Sequence, residues 1–335
     1  YFSISSIILN FCITFALAFK IAFFCNIREL SARKVMKLKH ILLTFLAITF
    51  LPTLSAQDRD TTYIQPYPQD IWLKAFIPTK LLMVSQDKKT YLPSTSFSFG
   101  VGVGLRKIIG INILASTNIF PLENDRKLKS NIIDLQAHRY GKYLFFDAYY
   151  QDYEGFYLRD SKPTEPNYRN LSMQQVGIEA TYVWNGKRFS ARAAFEQSEL
   201  QVRSAGSFLF GNGVYWHRVE PDPDLQGLTD TSFENIQVGF HFGYVYTWVL
   251  GQRWALTFGE IIGANFGNQS DAFRAWKLKL HPTTMTRLSA IYAKNDWLIS
   301  FQSIFNNKSV YPINGKPIRI VASLLQISFT KHLNL

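Results

Sequence analysis

The chain carries 335 residues, 36 basic against 24 acidic, with a formal net charge of +12 and two cysteines. Both cysteines, Cys12 and Cys25, precede residue 36, which excludes disulfides, thiol catalysis and thiolate metal sites from everything that follows. Residues 1–56 hold six of the basic residues and one acidic, leaving 30 against 23 and a net of +7; with no basic run interleaved with aromatics, this excess excludes nucleic acid and suits a surface facing anionic lipopolysaccharide or ordinary solvated loops.

An apolar stretch from Ile7 to Cys25, broken by Lys20, comes first. A complete secretory signal follows at 36–56: Met36, basic Lys37 and Lys39, an apolar run from Ile41 to Leu51, a helix breaker at Pro52 and a small residue at Ala56. Cleavage is expected between Ala56 and Gln57. No cysteine follows the cut, so a lipoprotein anchor is excluded. Because the downstream signal is complete, residues 1–35 are expected to be an upstream over-translation or an apolar leader, and residues 57–335 a single β-barrel.

From Ser96 to Leu105, Phe97, Phe99, Val101, Val103 and Leu105 alternate with Ser96, Ser98, Gly100, Gly102 and Gly104. That period of two belongs to a strand. It recurs in Val176, Ile178, Ala180, Tyr182 and Trp184, opposite Gln175, Gly177, Glu179 and Thr181. In the same way Phe189, Ala191, Ala193 and Phe195 oppose Arg188, Ser190, Arg192 and Glu196. From Ile236 to Trp248, apolar residues oppose Gln237, Gly239, His241, Gly243 and Thr247, and from Leu325 to Leu335 the same holds against Gln326, Ser328, Thr330, His332 and Asn334. Apolar outside and small or polar inside is the pattern of an antiparallel transmembrane β-barrel. Short turns at Arg106-Lys107, Gly141, Asn185-Gly186, Leu250-Gly251-Gln252 and Lys294-Asn295-Asp296 alternate with longer polar stretches, which predicts about twelve strands, with ten or fourteen as alternatives. This count assigns Ser204 to His217 to a long fourth loop, folded into the lumen as a plug. Lys331 and Glu260 break the alternation by pointing outward; Lys331 is close enough to the strand end to snorkel, whereas Glu260 needs a bulge. Trp184, Trp248, Trp254 and Trp297 each sit beside a short turn, as an interfacial aromatic girdle requires.

Four segments resemble an uncharacterised outer-membrane barrel family, a domain of unknown function found in Bacteroidetes-type Gram-negative bacteria. They are Asp60-Thr-Thr-Tyr-Ile-Gln-Pro-Tyr-Pro, Phe97-Ser-Phe-Gly-Val-Gly-Val-Gly-Leu, Ile133-Asp-Leu-Gln-Ala-His-Arg-Tyr-Gly and Asp147-Ala-Tyr-Tyr-Gln-Asp-Tyr-Glu-Gly-Phe-Tyr-Leu. The resemblance implies the barrel fold and an outer-membrane location. It implies no catalytic or ligand residue.

Charges of both signs fall on the lumen side: Asp134 and His138, Asp147, Glu179, and Arg188, Arg192 and Glu196. They are expected to pair as a ladder that fills the bore, because buried charges are normally paired; a charged constriction selecting solutes is the alternative. No Gly-x-Ser-x-Gly elbow and no short ligand spacing among the five histidines after residue 56 support catalysis, a metal or a cofactor. Tyr149, Tyr153, Phe156, Tyr157 and Trp216 form a candidate loop surface able to stack on sugar rings, with an outer aromatic girdle as the alternative reading. The expected function is a structural or surface-interaction barrel with an occluded lumen, or else a passive or gated pore, with a lipid-active enzyme third. Expected partners are outer-membrane lipid, lipopolysaccharide and the barrel-assembly machinery; no specific partner is indicated.

Overall fold

The computed structural model describes residues 59–86, 88–94, 96–105, 109–121, 130–159, 168–223, 232–310 and 318–334. The leader, the signal at 36–56 and the Arg106-Lys107 turn lie outside the described residues.

The wall is all antiparallel. Its strands are β2 (Ile71–Gln86), β3 (Lys89–Pro93), β4 (Ser96–Leu105), β5 (Ile109–Pro121), β6 (Asn131–Tyr140), β7 (Leu144–Leu158) and β8 (Tyr168–Val183). Then come β10 (Ala205–Glu220), β11 (Phe233–Leu250), β12 (Trp254–Asn268), β13 (Lys279–Lys294), β14 (Trp297–Val310) and β15 (Ile318–Leu333). A separate ribbon pairs β1 (Ile64–Pro66) with β9 (Glu199–Gln201), and the short helix α1 (Ser270–Arg274) lies between β12 and β13. The wall closes where β15 meets β2, from Ile71↔Leu333 to Ser85↔Arg319. Two circuits share it. One of ten strands passes from β2 through β3 to β7, and one of twelve replaces β3 by β4, β5 and β6. The fork lies in β2, whose Ile71–Phe76 pair with β4 and whose Val84–Gln86 pair with β3.

Alternation determines which face each residue takes. On β11, Phe240, Phe242, Tyr244 and Trp248 are exposed on the outside while Asn235, Gln237, Val245 and Thr247 are buried inside. On β4, Phe99 and Val101 are exposed and the glycines face inward. Rings from β2 use the space those glycines leave: a Cβ at Gly100 would overlap Phe76, and one at Gly104 would overlap Trp72. The outward apolar surface has no core to bury it, so this is the lipid-facing band of a transmembrane barrel.

Two assignments are corrected. Arg188–Glu196 is not a wall strand. Phe189, Ala191 and Ala193 are buried, and Arg192–Glu196 forms one π-helical turn. The wall strand is instead Ala205–Glu220, placed in a loop by the sequence reading; its Phe208 and Phe210 point outward, Phe208 stacked on Phe242 and Phe210 tilted against it, and plug nothing. The Asn185-Gly186 pair therefore opens an inserted segment, with Phe189 N donating to Asn185 O. Nor does Glu260 sit on a bulge. The β11–β12 register runs unbroken through Tyr244↔Glu260, and the outward carboxyl accepts a 2.6 Å hydrogen bond from Thr286 Oγ1 on β13. Lys331 reaches Asp296 at 2.7 Å, and this hydrogen bond is the main reason the Asp296 carboxyl is held below its ordinary value.

The four girdle tryptophans lie at the short-turn end. Trp184, Trp248 and Trp254 are exposed, and Trp254, Tyr292, Trp297 and Phe329 follow one another around the wall with ring centroids 5.1 to 6.1 Å apart.

Candidate functional site in the bore

Packed residues cross the bore towards both of its ends. At the short-turn end the segment 185–203, between β8 and β10, folds across the opening. β8 and β15 are opposite in the twelve-strand circuit, and the insert reaches the far wall: Gln197 Nε2 donates to Ser300 Oγ at 2.6 Å, Thr330 Oγ1 to Gln197 Oε1 at 3.3 Å, and Gln302 Nε2 to Phe195 O at 3.1 Å. Lys74 Nζ on β2 donates to Glu196 O at 3.2 Å. Glu199 ties the insert together. It takes an ion pair from Arg59, a second from Arg192 at 3.3 Å and a 2.6 Å hydrogen bond from Ser190 Oγ. The 59–70 segment joins it through the β1–β9 ribbon, and Tyr67 stacks on His332 of β15 with centroids 3.6 Å apart. Asp60 begins this segment, its carboxyl held below the ordinary value chiefly by the Thr62 hydroxyl.

At the other end, inward residues near the strand ends form an apolar cluster. Leu82 and Val84 meet Tyr153, Phe156, Met173, Val219, Phe233, Val310 and Ile320. This is a protein core built inside a barrel, and it excludes water as any core does.

Between plug and cluster lies a chamber of about 210 Å³, bounded by Phe195 on one side and by Leu82, Tyr153 and Ile320 on the other. Its polar lining is a set of facing charges. Arg287 Nη2 of β13 stands 3.9 Å from Asp147 Oδ2, whose Oδ1 accepts from Tyr140 OH at 3.2 Å. Lys308 Nζ of β14 donates to Tyr149 OH at 2.7 Å, approaches Glu179 at 3.7 Å and lies 4.3 Å from the Tyr215 ring centroid. Arg287 also lies over Phe195, 4.9 Å from its centroid. His138 Nε2 is 3.9 Å from Glu196, beyond hydrogen-bond range. Asp134 accepts from Gln136 and Gln151 at 3.1 and 2.9 Å.

Asp134, His138, Asp147 and Glu179 thus face the bore from β6, β7 and β8, and Glu196 meets them from the plug. Arg192 instead serves the plug, with its Nε donating to Tyr140 O at 2.5 Å. Arg188 lies outside the chamber, 58% exposed and 3.8 Å from Asp60. The cations opposite the carboxylates are Lys74, Arg287 and Lys308, which the sequence reading missed. The alternation that identified Asp147 and Glu179 carries them too, since Arg287 shares a parity with Met285 and Ser289, and Lys308 with Ser300 and Gln302. The candidate loop surface is likewise relocated. Tyr149, Tyr153, Phe156 and Tyr157 all lie on β7, with Tyr153, Phe156 and Tyr157 buried, and Trp216 lies half-buried on β10. β7 runs on to Leu158, and its rings fill the bore where the reading ended the strand.

The family described as a domain of unknown function (DUF4421) matches residues 58–320. The chain belongs to that family. The match takes in the plug, most of the chamber lining and nearly all of the wall, so these are parts of one DUF4421 unit. Among solved structures, OmpT, an outer membrane protein of Vibrio cholerae, is 8% identical with a TM-score of 0.26, over 78% of this chain and 97% of that one. The P. putida toluene transporter TodX is 8% identical with a TM-score of 0.28, over 86% and 92%. An anion-selective porin from Comamonas acidovorans is 8% identical with a TM-score of 0.21, over 79% and 100%. Curated proteins offer no match.

Proposed function

We propose that this DUF4421 chain is a non-enzymatic outer-membrane barrel with an occluded bore, acting as a structural or surface-interaction protein in a Gram-negative envelope. In this reading the segment at 36–56 exports the chain, the barrel-assembly machinery inserts it, and outer-membrane lipid and lipopolysaccharide surround it. The observation that carries the occlusion is the plug, which is hydrogen-bonded to β14 and β15 across the full width of the bore. Single-channel recording of the refolded, heat-modifiable protein tests it. Silence is expected; steady open channels overturn it. The charged chamber favours one other reading, a gated pore, in which Arg287 and Lys308 rather than Arg188 and Arg192 set ion preference. Conductance whose selectivity changes in Arg287→Ala supports that alternative.

A further inference from the structure

The β12–β13 connection, 269–278, is one of the long loops, at the end of the wall opposite the girdle tryptophans and so on the outer side. Its height follows from the wall. Leu280 of β13 pairs with Phe266, twelve residues beyond Trp254 on β12; at ~3.3 Å per residue and a tilt of ~40° the pair stands ~30 Å from the aromatic belt, at the far edge of a ~25 Å apolar band. Arg274 to Lys279, which lead into Leu280, are all exposed and therefore lie at the depth of lipid head groups.

Trp276, at 85%, is the most exposed large apolar side chain among the described residues, and its φ is +56°. Bulky residues rarely adopt that region, because the Cβ crowds the backbone carbonyl. Hydrogen bonds hold it there: Trp276 N donates to Phe273 O at 3.0 Å, Lys277 N to Ala272 O at 2.8 Å and Asn268 Nδ2 to Lys277 O at 2.7 Å. A fixed, strained loop that keeps an indole off the protein costs stability, and such strain collects at binding sites. Leu278 and Leu280 continue the apolar face down to Phe266, all three exposed. The cations beside the indole are not neutralised. Among the described residues neither Arg274 nor Lys277 makes an ion pair, and Asp271, at the other end of α1, makes none with them. By contrast Arg218 on β10 is taken by Glu220 and Glu234 at 2.7 and 3.5 Å.

We infer that this loop binds a phosphorylated glycolipid of the outer leaflet, with the phosphate held by Arg274 and Lys277, the Trp276 ring against the sugar, and the acyl chains along Leu278, Leu280 and Phe266. The inference rests on the outer-membrane reading above and names one lipid contact within it. Position carries it. Unneutralised cations and an indole at head-group depth lead into an aliphatic stripe at hydrocarbon depth, which is the profile of phosphate and sugar above acyl chains. An acidic protein partner would use the cations but not a stripe that descends into lipid.

The test is native mass spectrometry of the refolded protein, released from neutral micelles after titration with bisphosphorylated lipid A. One lipid A per barrel is expected at saturation, with at least tenfold weaker binding of the same lipid stripped of both phosphates and of phosphatidylglycerol. The double substitution Arg274→Gln, Lys277→Gln, retaining heat-modifiable mobility, is expected to weaken binding at least tenfold and Trp276→Ala severalfold. Arg253→Gln, which removes an exposed cation at the opposite rim, should leave binding unchanged. Binding indifferent to the loop substitutions, equally weakened by Arg253→Gln, or matched by the dephosphorylated lipid or by phosphatidylglycerol overturns the inference. Channel recordings on the same preparation keep the two readings apart: a silent barrel that binds no lipid A overturns the site alone, and an open channel overturns the occlusion whatever it binds.

Discussion

Replacing Glu260 by Leu is expected to stabilise the barrel. Glu260 lies six residues beyond Trp254 on β12; at ~3.3 Å per residue and a tilt of ~40° it stands ~15 Å from the aromatic belt, near the middle of a ~25 Å apolar band. A Lys or Arg on the lipid face costs ~2–4 kcal/mol at that depth, and an acidic residue less. The hydrogen bond from Thr286 offsets part of the cost, since a bond to a charged group contributes ~1.5–3 kcal/mol. Glu260→Leu removes the penalty and the bond together, which nearly cancel, and adds an apolar side chain to the lipid-facing band, for a net gain of ~1–2 kcal/mol. Thr286→Val alone strands the carboxyl and is expected to destabilise by ~1–3 kcal/mol, yet to have almost no effect once Glu260 is replaced. The assay is reversible urea unfolding from phospholipid vesicles, read as a midpoint shift at constant slope for the two single variants and the double. If Glu260→Leu lowers stability by ~1 kcal/mol or more, or if the two substitutions are additive, the carboxyl is not an uncompensated intruder and the reasoning fails.

Three further outcomes are expected. Glu199→Gln removes the carboxylate that pairs with the part-buried Arg59 and Arg192 guanidinium groups; a fully buried pair costs ~3–5 kcal/mol to break and these are partly solvated, so the plug should lose ~1–3 kcal/mol, read as faster amide hydrogen exchange across 185–203 while bilayer recordings stay silent because the apolar cluster still fills the other end. Phe156→Ala opens a cavity in the outer apolar cluster and should cost ~3–5 kcal/mol in the same urea assay, without openings at the plugged end. The Asp296 carboxyl, held below its ordinary 3.8 by Lys331, contributes stability that is present above that value and lost as pH falls through the lower folded-state value. Asp296→Asn should remove its share of the acid-side slope, seen as a shallower fall in melting temperature between pH ~5 and ~3, with the share of Asp60 remaining.

How much of this was legible follows from what alternation reports. It reports that two faces differ, and where one face meets lipid it assigned β8, β11 and the end of β15 correctly, down to the outward Trp184 and Trp248 and the inward Glu179. It does not report what an apolar face meets. Phe189, Ala191, Ala193 and Phe195 alternate as a lipid-facing strand does, after an Asn-Gly that marks hairpins, yet they pack inside the bore as part of the plug. Two features separated them from the real strand. Their outward set is half alanine, whereas Ala205–Glu220 offers Phe208, Phe210, Val214 and Trp216 to the lipid, and the run is short beside its neighbours β8 and β10 to β15, which have 14 to 18 residues. The same ambiguity hid the outer cluster. Strands of that length outrun the apolar band, and above it Tyr153, Phe156, Val310 and Ile320 turn inward because water now lies outside. The fork at β2 was beyond reach of periodicity for a different reason. Ladder partners are a property of pairs of strands, and the trace it left in one strand was Pro78.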